Sequence, residues 1–163
     1  MTETRFINAL MTQTSLIRVN ASDAELNNAD LANADLGGAD FGRAKMPGAN
    51  LNGADLTRVY LLEADLQEAK LSNANLQGAY LIRGDLYRVD LDSSNLNETN
   101  LSEATITSAN LSNSNLTGAN LFRADLTGSD LSNSDLSGAE LTEADLTRTD
   151  LTGAILPYGF IQE

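Results

Sequence analysis

Ala29-Asp30-Leu31-Ala32-Asn33-Ala34-Asp35-Leu36 contains the unit from which almost the whole chain is built. A large apolar residue returns every five residues from Leu26 to Leu156, and it is Leu at 24 of these 27 centres. A small residue, usually Ala, stands two positions before each centre, and Asp or Asn stands between them in 19 of the 27 units. The unit is therefore Ala-(Asp/Asn)-Leu-x-x, and no insertion interrupts its phase.

This five-residue period excludes an α-helix. On a helix, each step of five residues rotates the central residue by about 140°, so that no apolar stripe forms. In a strand, residues two apart share a face, which directs the Ala and Leu of each unit inward together. The next Ala is three residues further on, so the chain must turn at the two x positions, which are rich in Gly, Asn, Ser and Thr. Short extended segments joined by regular turns predict a coil that stacks on itself.

Weaker copies of the unit extend the same phase to the N-terminus. Residues 1–23 are predicted to form a degenerate N-terminal coil or cap, on the basis of the pairs Thr4/Phe6, Ala9/Met11, Thr14/Leu16 and Val19/Ala21. A short helix over residues 3–12 is the competing interpretation. With these copies the chain has about 31 repeats, a single domain over residues 1–156 and a C-terminal tail over residues 157–163.

Composition argues against catalysis. The 163 residues include no Cys and no His, so thiol nucleophiles, thiolate metal sites and imidazole bases are excluded. No Gly-rich phosphate loop and no pocket-forming insertion is present. We therefore predict a protein that is not an enzyme, with no catalytic residue, no metal site and no cofactor. The net charge of −13 repels phosphate backbones, which argues against direct nucleic-acid binding.

The tandem unit quoted above resembles the pentapeptide-repeat family, most closely its Leu-centred cyanobacterial members, and the resemblance covers nearly the whole chain. It implies an all-β fold, a right-handed quadrilateral β-helix with four repeats per coil and just under eight coils. At a lag of 20 residues, one corner position alternates in charge sign, which supports four repeats per coil. This charge ladder comprises Arg43, Glu63, Arg83, Glu103, Arg123 and Glu143.

Departures from the repeat pattern identify a candidate partner-binding patch. Tyr60 and Tyr80 replace Asp or Asn at the outward position 20 residues apart, so they are predicted to stack on one face. Aromatic residues next to Arg are frequent anchors of protein interfaces. The predicted patch consists of Tyr60, Leu62, Tyr80, Ile82, Arg83, Tyr87, Arg88 and Phe122. Neutral variation on a tolerant surface is the alternative explanation.

The repeat pattern changes at the C-terminus. Pro157 cannot donate a ladder hydrogen bond, and the segment around it resembles the closure of cyanobacterial members of the family. A C-terminal cap over the last coil is predicted from Pro157, Tyr158, Phe160 and Ile161. End-to-end dimerisation through this tail is the alternative to a monomer.

The leading functional hypothesis is a non-enzymatic protein-interaction or scaffold module with an unidentified protein partner. The alternative is an acidic DNA mimic that acts on DNA gyrase, as the resemblance implies for the quinolone-resistance branch of the family. That branch uses Phe at many centres, whereas only Phe41 occupies a centre of the regular array here. No signal-peptide or transmembrane run is evident, so a cytoplasmic location without membrane contact is predicted, although a removed targeting segment would leave no trace.

Overall fold

The chain forms a β-helix-like solenoid with 20 residues in each coil. The computed structural model describes residues 4–160, and within this range it contains no helix and no continuous strand. Instead, the residue before each centre forms an isolated parallel bridge with the residue 20 positions later, from Arg5 and Glu25 to Asp135 and Ile155. Four five-residue units therefore complete one coil, and residues 20 apart stand above one another in columns.

Backbone hydrogen bonds between coils hold each unit at three points. Leu31 N–H donates to the Asn50 carbonyl (2.7 Å), and Asn33 N–H donates to the Asn52 carbonyl (2.9 Å). In the opposite direction along the rod, Asp30 N–H donates to the Ala9 carbonyl (2.8 Å). Each coil thus depends on its neighbours for backbone pairing, which is the physical basis of a solenoid.

The two x positions form the same tight turn throughout the chain. Ala34 N–H donates to the Leu31 carbonyl (3.0 Å), which closes a four-residue turn. The second x residue has positive φ at every unit from Asn8 to Gly153, and 22 of these residues are not glycine, with φ between 53° and 60°. A positive φ at the third residue of a hydrogen-bonded turn is the signature of type II.

The interior is a column of Leu and small residues. Every central residue from Leu26 to Leu136 is at most 1% exposed, including Phe41, Met46 and Ile106. Some inward positions carry hydroxyls, which donate to backbone carbonyls of the same coil or of the neighbouring one. Ser94 Oγ donates to the Leu91 carbonyl in its own coil (2.6 Å), and Thr99 Oγ1 donates to the Leu76 carbonyl in the preceding coil (3.0 Å). No buried side-chain N or O atom of the described residues lacks a hydrogen-bond partner.

The N-terminal residues belong to the first coil and not to a helix. Phe6 N–H donates to the Glu25 carbonyl (2.7 Å), and Met11 N–H donates to the Asp30 carbonyl (2.7 Å). Residues 4–12 therefore lie in the coil, so the helix alternative is wrong for these residues. No other coil of the described residues covers one side of this coil, and Phe6 is 37% exposed there.

The C-terminal cap differs from the expectation. After Leu156 the turn moves by one residue, because Phe160 N–H donates to the Pro157 carbonyl (3.1 Å) and Gly159 takes a φ of 80°. This shift directs Tyr158 away from the rod, where it is fully exposed, so the predicted packing of Tyr158 over the last coil is wrong. Phe160 is half-buried beside the segment 139–142. Ile161 lies outside the described residues.

Candidate interaction surface

The residue before each centre points outward and completes the turn that follows it. The N–H of the first x residue has no backbone acceptor, and the Asp or Asn side chain supplies one. Gly42 N–H donates to Asp40 Oδ1 (2.9 Å), Phe122 N–H to Asn120 Oδ1 (3.0 Å) and Thr127 N–H to Asp125 Oδ1 (2.9 Å). This side-chain bond is an Asx turn, and it explains why Asp and Asn recur at this position.

Tyr60 and Tyr80 interrupt this arrangement on one side of the rod. They form a parallel bridge, and their rings stack with centroids 5.1 Å apart and planes within 5°. The prediction that the two residues stand above one another on one face is therefore confirmed, and the contact between their rings is an addition of the structure. Neither Tyr offers the Asx acceptor, so the N–H groups of Leu62 and Ile82 have no protein acceptor among the described residues.

The four residues Tyr60, Leu62, Tyr80 and Ile82 are here called the tyrosine patch. Tyr60 is 50% exposed, Tyr80 and Leu62 are each 41% exposed, and Ile82 is half-buried. Tyr60 and Tyr80 occupy the outward position of one face, while Leu62 and Ile82 occupy the adjoining corner. The patch is therefore a contiguous apolar area two coils high on one side of the rod.

The other predicted patch residues lie at three different places. Arg83 follows Ile82 on the same corner, and its Nε is 2.8 Å from Glu103 Oε2. Tyr87 and Arg88 lie on the next corner, where the Arg88 guanidinium is 5.9 Å from the Tyr87 ring centroid. Phe122 stands in the column of Ile82, but Ser102 separates them, and the Arg123 guanidinium lies 4.8 Å from its ring. Of these four residues, only Arg83 therefore lies directly beside the tyrosine patch.

The charge ladder forms discrete ion pairs. Arg83 pairs with Glu103, and Arg123 with Glu143 (2.7 Å). Arg43 pairs with Asp23 through two hydrogen bonds of 2.8 Å, and not with Glu63. Asp23 was missed in the sequence, although the lag of 20 residues extends the column to it. Glu63 forms no ion pair with any described residue.

These ion pairs shift the pKa values of their carboxyl groups. The Arg43 guanidinium, mainly through its hydrogen bonds, lowers the pKa of the Asp23 carboxyl below its ordinary value. The Arg83 guanidinium lowers the pKa of Glu103 in the same way. All four groups are solvent-exposed, so these pairs favour one register of the column but contribute little to stability.

A groove next to the tyrosine patch was not recognised in the sequence. It is an open groove of about 540 Å³, and the residues that line it are Ile17, Arg18, Gly37, Gly38, Thr57, Arg58 and Tyr60. Arg18 and Arg58 stand two coils apart in one corner column, and Gly38 between them has no side chain to fill the space. Neither guanidinium forms an ion pair within the described part of the chain. The signal in the sequence is the alternation of Arg18, Gly38 and Arg58 at a lag of 20 residues.

Neither a metal cluster nor a membrane-spanning helix occurs among the described residues. No group of three or more acidic side chains within residues 4–160 is arranged to hold a metal ion. This range also contains no helix with the length and hydrophobicity that a membrane span requires.

Comparisons with known proteins agree with this architecture. A family model for pentapeptide repeats matches in eight copies, over residues 1–38, 24–61, 60–95, 85–121 and 119–156. A comparison with curated protein sequences finds no significant match.

Solved structures show the same fold. HetL, a pentapeptide repeat protein involved in heterocyst differentiation regulation from the cyanobacterium Nostoc sp. strain PCC 7120, is 31% identical, with a TM-score of 0.62 over 99% of this chain and 82% of HetL. A trypsin-treated form of QnrB1, a plasmid-mediated fluoroquinolone resistance protein, is 19% identical, with a TM-score of 0.56 over 94% of this chain and 90% of QnrB1. The likeness to QnrB1 concerns the fold alone. From its repeats, its coils and these matches, the chain belongs to the pentapeptide-repeat family.

Proposed function

We propose that this protein is a non-enzymatic protein-interaction or scaffold module that binds its partner through the tyrosine patch. The observation that carries the proposal is the exposed Tyr60–Tyr80 stack, beside which Leu62 and Ile82 expose apolar side chains. Exposed aromatic rings with apolar neighbours are the groups that most often anchor a protein interface when they are buried by a partner.

The solenoid determines how a partner is recognised. Along the sides of the rod, backbone N–H and C=O groups already bond to the coils above and below. A partner strand therefore finds no open sheet edge there, and recognition depends on side chains. The involvement of HetL in regulation supports a regulatory partner for the present protein, by analogy within the family.

The test compares two variants with equal charge changes. Tyr60→Asp/Tyr80→Asp removes the rings, restores the Asx acceptors and adds two negative charges. Asn75→Asp/Asn95→Asp adds two negative charges at the outward position of another face. Both variants and the native protein are immobilised, incubated with lysate of the source organism and analysed by mass spectrometry, with folding checked by circular dichroism. We expect one set of proteins to be retained by the native and control chains and lost by the Tyr variant. Equal retention by all three chains would remove the patch from consideration.

An acidic DNA mimic that acts on DNA gyrase is the second candidate, and the net charge of −13 favours it. A supercoiling assay of gyrase with and without the protein tests it. Inhibition or protection that is lost when outward acids are replaced by Asn would support the mimic over the interaction module.

We extend the proposal to the location of the protein, the number and shape of its coils and its oligomeric state. We place the protein in the cytoplasm and assign it about 31 repeats in just under eight right-handed, quadrilateral coils. Coils about 4.8 Å apart then make a rod roughly 37 Å long. No cofactor is needed for a binding role. The partner is a protein, and a monomer and an end-to-end dimer through the C-terminal tail are both compatible with an interaction module.

A further inference from the structure

We infer that the partner that the tyrosine patch fits is a second copy of this chain, packed side by side and antiparallel. The inference rests on the proposed function, because it names the occupant of the same surface. The two-fold axis passes perpendicular to the rod, between the coil of Tyr60 and the coil of Tyr80. Three independent columns of side chains are self-complementary about this one axis.

The geometry of such an axis is simple. Rotation by 180° about a line in the contact plane, perpendicular to the rod, reverses the order of coils and keeps each column opposite itself. Tyr60 of one copy then faces Tyr80 of the second copy, and Leu62 faces Ile82. The apolar centre of the interface is thus the whole tyrosine patch, and the polar rim around it consists of the adjoining coils.

The charge column is complementary about the same axis. Glu63 faces Arg83 of the second copy, Arg43 faces Glu103, and Asp23 faces Arg123. Glu63, which forms no ion pair within the described part of its own chain, gains one at the centre of the interface. A shift of the second copy by one coil would place like charges opposite each other along the whole column, so the column selects this register.

The third self-complementary column lies at the corner on the other side of the tyrosine patch. Long side chains and glycine alternate there from coil to coil: Arg18, Gly38, Arg58, Gly78, Glu98 and Gly118. The same axis places each long side chain opposite a glycine of the second copy. Each long side chain also leans over the next glycine of its own chain, since a Cβ at Gly38 would lie 3.5 Å from Arg18 Cγ and one at Gly118 would lie 3.7 Å from Glu98 Cγ.

Glu98 of the second copy therefore enters the groove over Gly38. Its lean toward its own Gly118 brings the carboxylate opposite Arg18, whose guanidinium forms no ion pair with the described residues of its own chain. The groove that the sequence did not reveal is thus occupied by an acid of the second copy. The two Arg58 side chains approach each other near the axis, and this is the one like-charge contact among the described residues of the three columns.

The test is a charge exchange followed by sedimentation velocity at physiological ionic strength. There the Debye length of about 8 Å limits repulsion between the two acidic rods to the interface. We expect the native chain to form a dimer in a concentration-dependent manner. Glu98→Arg alone and Arg18→Glu alone should each weaken the dimer by at least about tenfold, because each places like charges in the groove. An equimolar mixture of the two variants should dimerise again, because both symmetry-related contacts are then between opposite charges.

Two further variants make the result specific. Arg148→Glu reverses another exposed turn residue without an ion pair among the described residues, but on a different corner, and should leave the dimer unchanged. Arg58→Gln removes the like-charge contact and should strengthen the dimer.

Several outcomes would overturn the inference. These are a native chain that stays monomeric at about 1 mM, a mixture that does not dimerise, or a dimer that Tyr158→Asp dissociates and Glu98→Arg does not. If the chain is monomeric but lysate proteins are lost with Tyr60→Asp/Tyr80→Asp, the second copy is rejected and the interaction module stands.

Discussion

At the scale of single residues, the Asp and Asn before each centre act as acceptors for one turn N–H. The two prolines agree with this role. Pro47 and Pro157 both occupy the first x position, where they have no N–H to satisfy, and the residues two before them are Lys45 and Ile155. Neither of these offers an Asx acceptor, and none is needed there.

This role predicts different costs for two substitutions at the same outward position. Asp125→Ala removes the acceptor of Thr127 N–H and should lower the free energy of unfolding by about 1 kcal/mol. Lys45→Ala, which precedes Pro47, should change it by less than about 0.5 kcal/mol. Urea unfolding followed by circular dichroism measures both. Equal losses at the two positions would contradict the assigned role.

At the scale of the repeating element, the turn places its second x residue in the left-handed region at every unit, and most of these residues are not glycine. A non-glycine residue there is less favourable by about 1 kcal/mol or more, because its Cβ crowds the carbonyl. The stacked coils impose this conformation, since the N–H of the same residue bonds to the next coil.

Glycine substitutions at the two turn positions should therefore have opposite signs. Ser108 has a φ of 56°, and Ser108→Gly should raise the free energy of unfolding by about 0.5–1 kcal/mol. Thr107 precedes it in the same turn without a positive φ, so Thr107→Gly should lower stability by a similar amount. The denaturant midpoints of the two variants measure these changes in stability. A gain in stability at both positions or at neither would refute the turn assignment.

The turn carboxylates make the rod sensitive to acid. Side-chain hydrogen bonds from Ser137, Thr147 and Thr152, helped by their backbone N–H groups, lower the pKa values of Asp135, Asp145 and Asp150. A carboxyl whose pKa is lower in the folded state stabilises the fold above its unfolded pKa of about 3.9, and this contribution is lost as the pH falls through the folded pKa. The triple variant Asp135→Asn/Asp145→Asn/Asp150→Asn keeps an acceptor oxygen at each turn but does not titrate. Its guanidinium midpoint should fall less than that of the native chain between pH 5 and pH 2 (about the range of carboxyl titration); parallel pH profiles would exclude the effect.

At the scale of the whole molecule, each coil is stabilised only by its neighbours. Leu86 lies in the middle of the rod and is 1% exposed, whereas Leu146 lies in the last coil and is only partly buried. Leu86→Ala should lower the free energy of unfolding by about 2–5 kcal/mol, and Leu146→Ala by clearly less, because Leu146 is only partly buried and no coil of the described residues covers it. Chemical denaturation of both variants measures the difference, and a larger loss at Leu146 would mean that the C-terminal end is covered.

Much of the architecture is readable from the repeat because its period is a covalent property of the chain. A central Leu every five residues excludes a helix and directs Ala and Leu inward. The resemblance to the family adds that residues 20 apart share a column, and the parallel bridges show it. The placement of Tyr60 and Tyr80 above one another follows from that column, and their parallel bridge confirms it. The alternation of charge from Arg43 to Glu143 follows from the same count.

Side-chain direction is not a property of the period, and only the folded structure settles it. Arg43 is 20 residues from both Asp23 and Glu63, and its rotamer places the guanidinium on Asp23. Tyr158 continues the numbering of the repeat, yet a turn moved by one residue leaves it in solvent. The groove between Arg18 and Arg58 exists because Gly37 and Gly38 leave space between two long side chains. Ion pairing, side-chain exposure and groove volume depend on the positions of all neighbouring atoms. They are therefore determined only when the coils are stacked.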